Sequence, residues 1–369
     1  MIKGNKGEWS EIYVLLKLLG DGGIYAADGN LKKISSVYYP LIEILRKEKK
    51  QTEKRYLYDD SNQCINILES SSGEILLRLP INEFKEKSTL LLKEINKIKK
   101  VKGTFAIEEI ENFMQSIQCF CLKAPSQDKR DITIVLHDTN TCRNETFGFS
   151  IKSKLGNPST LLNAGKTTNF IYEIIGDLSS DDINEINLIN TNSKIIDRVN
   201  TIFSKNCSLN FIETENLNFY LNLSIIDTSM PEILANLLVY FYKKDDEVRA
   251  KSVKDLIQKL NQINPCNFNM TLKHPFYEYK LKNFLTDVAL GMKPSKTWSG
   301  KIDATGGYIV VRKDGEIVCY HFYRKNEFQN YLINNTQLDS PDMKKYDFGK
   351  IYSKNGKNYI KLNLQVRFM

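Results

Sequence analysis

Residues 131–173 read DITIVLHDTNTCRNETFGFSIKSKLGNPSTLLNAGKTTNFIYE, and this stretch decides the fold. Asp131 opens an apolar strand that ends on His137 and Asp138. A turn rich in Asn and Thr follows, and a second strand then carries Ser150-Ile151-Lys152. Side chains alternate along a strand, so Ser150 and Lys152 share one face while Phe149 and Ile151 turn into the core. Hydrolysing a phosphodiester needs an activated water and a screened anionic transition state. A divalent metal supplies both, and a nearby lysine neutralises charge or orients the water. Mg2+ needs only a few carboxylate oxygens and keeps several waters. An acidic strand beside a lysine strand fits that chemistry. Asp131 with Ser-x-Lys is nonetheless a weak pattern by itself, because Ser150 stands where a second acid is expected.

Asp138 competes with Asp131 for the metal. Seven residues separate them, which puts them on opposite faces of an unbulged strand, so only one can point at Lys152. Asp131 is preferred, since Asp138 begins a turn in which Asp serves local hydrogen bonding. His137 reads as an ordinary satisfied histidine rather than a base.

The rest of the chain sets bounds. Its 369 residues are 41% apolar and 26% charged, enough for a sizeable core in two or three structural units. Acidic residues interrupt the N-terminus before any apolar run, and no stretch reads as a membrane span, so the expected location is the cytosol. A formal charge of +8 permits a polyanion partner without requiring one. The seven cysteines form no CxxC pair and only three histidines accompany them, which argues against zinc and for reduced core thiols.

Outward from the hairpin, GEWSEIYVLLKLL (7–19) has apolar residues at helical spacing and Glu8 and Glu11 in its first turn, where the macrodipole favours anions. YYPLIEILRKEKK (38–50) reads as a second helix, residues 56–80 as short strands, and 81–100 and 105–123 as amphipathic helices. The clusters KEKK and KIKK read as solvated faces. A helix is expected from Asn169, strand-like pieces at 194–199 and 219–226, and helices over 230–242, 246–263 and 275–292. Asp314-Gly315 marks a hairpin between 308–312 and 317–322, followed by a short helix at 325–332 and a closing strand near 359–368.

The blocks KGEWSEIYVLLKLL, GFSIKSKLG with TLLNAGKTTNFIYEI, and GGYIVVRKDGEIVCYHFY through FGKIY and YIKLNLQVRF resemble the HpaII family of type II restriction endonucleases. They recur in order across nearly the whole chain. The resemblance implies an α+β, restriction-endonuclease-like fold: a PD-(D/E)XK-type mixed sheet flanked by helices, with a β-rich C-terminal region. It implies residues 1–245 as nuclease core and 246–369 as a helical and β-hairpin region that helps bind DNA. The implied activity is Mg2+-dependent, site-specific double-strand cleavage of DNA. The protein would work in a bacterial cytoplasm as a homodimer, beside a methyltransferase that protects the same site without forming a complex. Family members are associated with CCGG.

Carried onto this chain, the motif's aspartate is Asp131 and its lysine Lys152. Arg130 replaces the usual proline and Ser150 the acid. A carboxylate must therefore come from elsewhere: Glu11 first, since such folds often place a first-helix glutamate near the metal, with Glu8 and Glu173 as alternatives. Asn163, Lys166, Thr167, Thr168 and Asn169 follow the lysine strand closely and suit base edges, though Thr168 or Asn169 would also cap a helix. Arg324 and Lys325, with His321, Tyr323 and Asn326, form a second polar patch. Lys296, with Lys293, Trp298 and Lys301, forms a basic loop suited to phosphates. Two other readings stand beside this one: a repair nuclease, and a decayed nuclease that binds DNA without cutting, which Ser150 favours.

Overall fold

Helix α1 (Lys6–Asp21) begins at Asn5, whose side chain accepts from the Glu8 N–H while the Glu8 carboxylate accepts from the Asn5 N–H. This reciprocal cap satisfies two donors that a helix start leaves open. The rest of α1 is buried almost all round: Trp9, Ile12, Tyr13, Val14, Leu15, Leu16, Leu18 and Leu19 are each at most 2% exposed in the computed structural model. That is the signature of a helix inside a core. The structure describes residues 1–48, 53–99, 103–123, 130–139, 142–244 and 250–369. Lys49, Lys50 and Lys100 of the basic clusters lie outside these.

After α1 come strands β1 (Gly23–Ala27), β2 (Lys33–Lys47), β3 (Glu53–Asp59), β4 (Cys64–Glu69) and β5 (Ile75–Pro80), then helices α2 (Ile81–Lys97) and α3 (Glu108–Ser116). The central hairpin is β6 (Ile132–Asp138) and β7 (Arg143–Ser153). Next are β8 (Thr160–Leu162), β9 (Asn169–Ile175), α4 (Ser180–Leu188), α5 (Lys194–Ser204), β10 (Ser208–Thr214), α6 (Leu217–Ile226), α7 (Met230–Tyr242), α8 (Val253–Ile263) and α9 (Phe276–Leu290). The chain closes with β11 (Gly307–Val311), β12 (Ile317–His321), α10 (Lys325–Asn335), β13 (Thr336–Leu338), α11 (Met343–Tyr346), β14 (Ile351–Lys354), β15 (Lys357–Asn363) and β16 (Val366–Phe368). The architecture is a mixed α/β one.

The chain forms two compact units: Met1–Ser159 with Ile302–Tyr331, and Thr160–Lys301 with Leu332–Met369. Each draws on residues from both sides of position 245, because β11 and β12 join the first unit and β13 to β16 the second. In the first unit a mixed sheet runs β1-β12-β11-β7-β6-β2-β3-β4-β5, with β11 parallel to β7 and β12 parallel to β1. β1 also pairs with the first half of β2, so the ladder from β1 through β12, β11, β7 and β6 returns to it. The long β2 changes partners beside Pro40, which opposes Gly23, and a register shift lies between Leu41 and Glu43 on the β6 side. In the second unit, β10-β9-β15-β14 and β13-β16-β8 form two smaller antiparallel sheets.

Four elements depart from the sequence reading. The expected helix at 38–47 is part of β2, held by β3 on one side and β6 on the other; pairing on both edges outweighs its helical periodicity. The expected helix from Asn169 is β9, in which Phe170, Tyr172 and Ile174 are buried in alternation with the less buried Ile171 and Glu173. The two expected strand pieces are helices. In α5, Ile195, Val199 and Ile202 recur at helical spacing and are buried. In α6, Asn216 caps the start by accepting from the Phe219 N–H at 3.0 Å, and Phe219, Asn222 and Leu223 form the buried side.

Gly307, which opens β11 beside β7, has a φ of +95°, and a Cβ there would lie 2.1 Å from the Tyr320 carbonyl oxygen. Gly307→Ala is expected to cost at least about 2–3 kcal/mol, measured by denaturant unfolding. Wild-type stability in this variant would show that β11 does not need that backbone geometry.

Candidate active site

The hairpin β6–β7 pairs Ile132 with Phe149 and Asp138 with Arg143, and this register brings Asp131 beside Ser150. The Asp131 N–H donates to the Phe149 carbonyl at 2.7 Å, which holds the residue in line with the strand. Its carboxylate Oδ2 accepts from the Ser150 hydroxyl at 2.9 Å and from the Ile151 N–H at 2.7 Å. The other oxygen, Oδ1, has no hydrogen bond among the described residues. Lys152 donates its ammonium to Ser150 Oγ at 2.9 Å. Lysine, serine and aspartate thus form one chain of hydrogen bonds. Ser150, in the place expected of an acid, is its middle link.

The neighbouring strand β11 sets Tyr308 against Ser150 and Val310 against Lys152. The Lys152 ammonium lies 4.8 Å from the centre of the buried Tyr308 ring, a favourable position for a cation over an aromatic face. Burial lowers the Lys152 pKa, and the negative charges of Asp131 and Glu11 only partly oppose it. That moves the lysine toward the range in which an amine can give or take a proton.

Helix α1 supplies the acids. The Ser10 hydroxyl donates to Ser153 Oγ at 2.7 Å, one residue beyond Lys152, and to the Lys6 carbonyl. The Trp9 indole N–H donates to the Phe105 carbonyl at 3.0 Å. So fixed, α1 sends Glu11 into the cluster as a partly buried carboxylate with no hydrogen-bond partner among the described residues. Burial, and then the charge of Asp131, raise its pKa to about 8; Lys123 and Arg46 pull the other way. Glu8 differs. Burial raises its pKa, but the Asn5 N–H and Lys123 outweigh that and the net shift is downward, with Glu8 Oε1 3.0 Å from the Lys123 ammonium.

Among the described residues no group of three or more His, Cys, Asp and Glu side chains gathers tightly enough to hold a metal alone. Mg2+ asks for less: one or two carboxylates, with waters and substrate phosphate completing its shell. Asp131, whose Oδ1 is open among the described residues, and Glu11, whose pKa it raises, fit that demand. Each carboxylate disfavours the ionised form of the other, and a bound cation would relieve both.

The other expected site residues fall elsewhere. Glu173 lies on β9 of the second unit and is ion-paired with Lys357 at 2.8 Å, whereas Asp131, Ser150, Lys152 and Glu11 belong to the first. Asp138, at the far end of β6, is 5% exposed and acts electrostatically on His321 and Tyr39. His137 Nδ1 is 2.8 Å from Asn144 Oδ1.

The expected base readers divide. Asn163 and Lys166 are exposed and Thr167 half-buried, whereas Thr168 and Asn169 are fully buried. Thr168 bonds Gly165, and the Asn169 amide donates to Glu215 at 2.6 Å and to the Tyr346 carbonyl at 2.9 Å. Those two pin the turn at 166–168 rather than offering their polar groups outward. Neither caps a helix, since β9 follows.

In the second patch His321 is buried against Phe147 and Tyr39, and burial pushes its pKa down to about 4. Lys325 is exposed, and Arg324 bonds the Tyr39 side chain. In the basic loop, the Asn222 amide donates to the carbonyls of Lys293 and Lys296 at 3.3 and 2.8 Å, and its oxygen accepts from the Trp298 N–H at 3.0 Å. The backbone is held while the Lys296 side chain is left exposed. Sequence reasoning missed Lys123 altogether. It follows Cys119-Phe-Cys-Leu122 with no motif around it, so nothing local marked it.

An acid–lysine hairpin on a mixed sheet, with a second acid presented by a core helix, defines the class: a hydrolase equipped for phosphodiesters. The HpaII restriction endonuclease family model matches residues 5–368. Type II restriction enzyme HpaII of Haemophilus parainfluenzae is 44% identical over 368 residues, covering 99% of this chain and 98% of that one. No solved structure matches. The chain belongs to the HpaII restriction endonuclease family, and its activity is that of a type II site-specific deoxyribonuclease.

The raised pKa of Glu11 gives a signed pH effect. Between the ordinary carboxylate range and about 8 the folded protein binds a proton here that the unfolded chain does not, so metal-free stability falls as pH rises through that window. Glu11→Gln removes the penalty. Its melting temperature should exceed wild type by several degrees near pH 8 and differ little near pH 5, on the order expected from linkage. Equal pH profiles for the two proteins in EDTA would sink this account.

Proposed function

We propose that the protein makes Mg2+-dependent double-strand cuts in DNA at a CCGG-like sequence, with Asp131, Ser150, Lys152 and Glu11 as the cutting site. The observation that carries this is the hydrogen-bonded chain Lys152–Ser150–Asp131 beside Glu11, which has no hydrogen bond among the described residues. The nine-stranded mixed sheet supports reading the first unit as a restriction-endonuclease-like core of the PD-(D/E)XK type.

Asp131 Oδ1 and the Glu11 carboxylate would hold Mg2+, which when bound supplies Lewis-acid screening of the phosphate and lowers the pKa of a coordinated water. Lys152, with its pKa lowered, stands where it can orient the attacking water and trade a proton with it. Ser150 keeps the ammonium and Asp131 at a fixed separation and leaves the second Asp131 oxygen without a hydrogen bond among the described residues. The Ile151 N–H fixes the same carboxylate from the backbone, and the Tyr308 ring keeps water from beneath the ammonium.

For sequence reading the candidates are the exposed Asn163 and Lys166 and the half-buried Thr167, with Lys296, Arg324 and Lys325 as phosphate or base contacts; residues 246–369 contribute the last three. A palindromic site cut on both strands suits a twofold homodimer. A methyltransferase acting on the same sequence, and a bacterial cytoplasm, complete the setting. No described helix is long and apolar enough to cross a membrane. The second reading, a DNA-binding protein that no longer cuts, is favoured only by Ser150 in place of an acid, and the hydrogen bonds of Ser150 give it a different use.

Plasmid digestion with Mg2+ should give discrete fragments, and sequencing their ends would return recognition site, cut position and stagger. EDTA should abolish cutting. Asp131→Asn and Lys152→Ala should each slow cleavage by at least about 10²-fold without loss of DNA binding. Wild-type rates in both variants would move the site elsewhere, and a wild-type protein that binds but never cuts would establish the second reading.

A further inference from the structure

Lys123 stands on a cleft of about 440 Å3 that Asn5, Lys6, Glu8, Glu11, Ile151 and Asn157 also line. Its side chain is 56% exposed, and its ammonium is 3.0 Å from Glu8. The charges of Asp131 and Glu11 also reach it. Its backbone is fixed with unusual effort. Arg46 and Glu48, 3% and 2% exposed, form an ion pair at 2.9 Å. Glu48 accepts from the Phe120 N–H at 3.0 Å and from the Cys121 thiol at 3.1 Å. Arg46 donates to the Cys121 carbonyl and, at 3.3 Å, to the Leu122 carbonyl, while the Tyr56 hydroxyl donates to the Ile117 carbonyl at 3.1 Å.

Burying both charges of a pair costs more desolvation than the attraction alone returns. What the pair secures here is geometry: it satisfies three successive residues, 120 to 122, and so aims the fourth, Lys123, into the cleft. The ion pair Lys123 makes there is mostly exposed, and such pairs are weak and readily exchanged. A phosphodiester brought to Asp131 and Glu11 meets acidic groups that give it no attraction, and Lys123 is a cation lining the cleft beside Glu11.

We infer that Lys123 is a substrate-binding residue of this site, exchanging the Glu8 carboxylate for a DNA backbone phosphate adjacent to the bond that is cut. This rests on the cutting site proposed above. The interaction is a point-charge contact to phosphate, so it carries affinity and placement but no base specificity.

The test uses the full-length protein and a duplex oligonucleotide containing CCGG, in EDTA so that nothing is cut. Lys123→Ala should weaken binding about tenfold, as for one charge-assisted hydrogen bond, and lower the salt slope by about one. Lys123→Arg should restore both. Single methylphosphonates, which neutralise one phosphate at a time, should weaken wild type at the contacted phosphate yet leave Lys123→Ala indifferent at that position. With Mg2+, the loss in Lys123→Ala should fall on KM more than on kcat. Wild-type affinity and slope in Lys123→Ala, or methylphosphonate effects that add to the mutation at every phosphate, would overturn the assignment. So would a loss confined to kcat. Cleavage by wild type tests the cutting site separately, and a wild type that binds no DNA would sink both.

Discussion

The burial of helix α1 is the constraint on which the rest depends. A helix whose apolar residues face every direction cannot lie on a surface, so other elements must cover it: helix α2 packs along it, and β1, β2 and β7 of the sheet meet it. The few polar groups on α1 then have little choice of outlet. Ser10 meets Ser153, Glu8 turns back on Asn5, and Glu11 comes out beside Asp131. Glu11 is thus placed by hydrophobic packing of its neighbours in sequence. Its raised pKa is a by-product of the same burial, since a partly buried carboxylate beside Asp131 prefers its neutral form.

Ser150 shows how a site can lose an acid and keep its geometry. A carboxylate there would have been held near Asp131 by little except a shared cation. A hydroxyl can donate to Asp131 and accept from Lys152 at once, because serine carries both a donor and lone pairs. The arrangement is ordered by its own hydrogen bonds, and the carboxylate that feels the charge of Asp131 is Glu11 on α1. The buried pair Arg46–Glu48 serves a similar end one layer back, satisfying the peptide groups that lead to Lys123. In both places buried polar groups are spent on fixing positions.

The departures from sequence reading share a cause. YYPLIEILR in β2 and KIIDRV in α5 are each short enough to satisfy both periods, and their neighbours decide: β2 is claimed by β3 and β6 on its two edges, while α5 buries Ile195, Val199 and Ile202 along one side. Asn169–Ile175 is different: the alternation of Phe170, Tyr172 and Ile174 fits a strand, while the polar run before it has the composition of a helix cap. Thr168 and Asn169 have side chains suited to base edges, and only a folded chain reveals their bonds to Gly165, Glu215 and Tyr346.

By itself the sequence determined the central hairpin, the buried first helix, the Asp-Gly hairpin near the C-terminus, and, through blocks of residues in fixed order, the family. These are signals of local period, turn chemistry and likeness, and they survive without knowledge of contacts. Only the tertiary structure decided that Glu11 feels the charge of Asp131, that Ser150 bridges an aspartate and a lysine, and that Lys123 lines a cleft with Glu8 and Glu11. Each of those rests on groups brought together from positions as far apart as 11, 46, 123, 131 and 152. Charges and hydrogen bonds act through space over a few ångströms, and a linear pattern does not record which distant residues a fold will bring within that range.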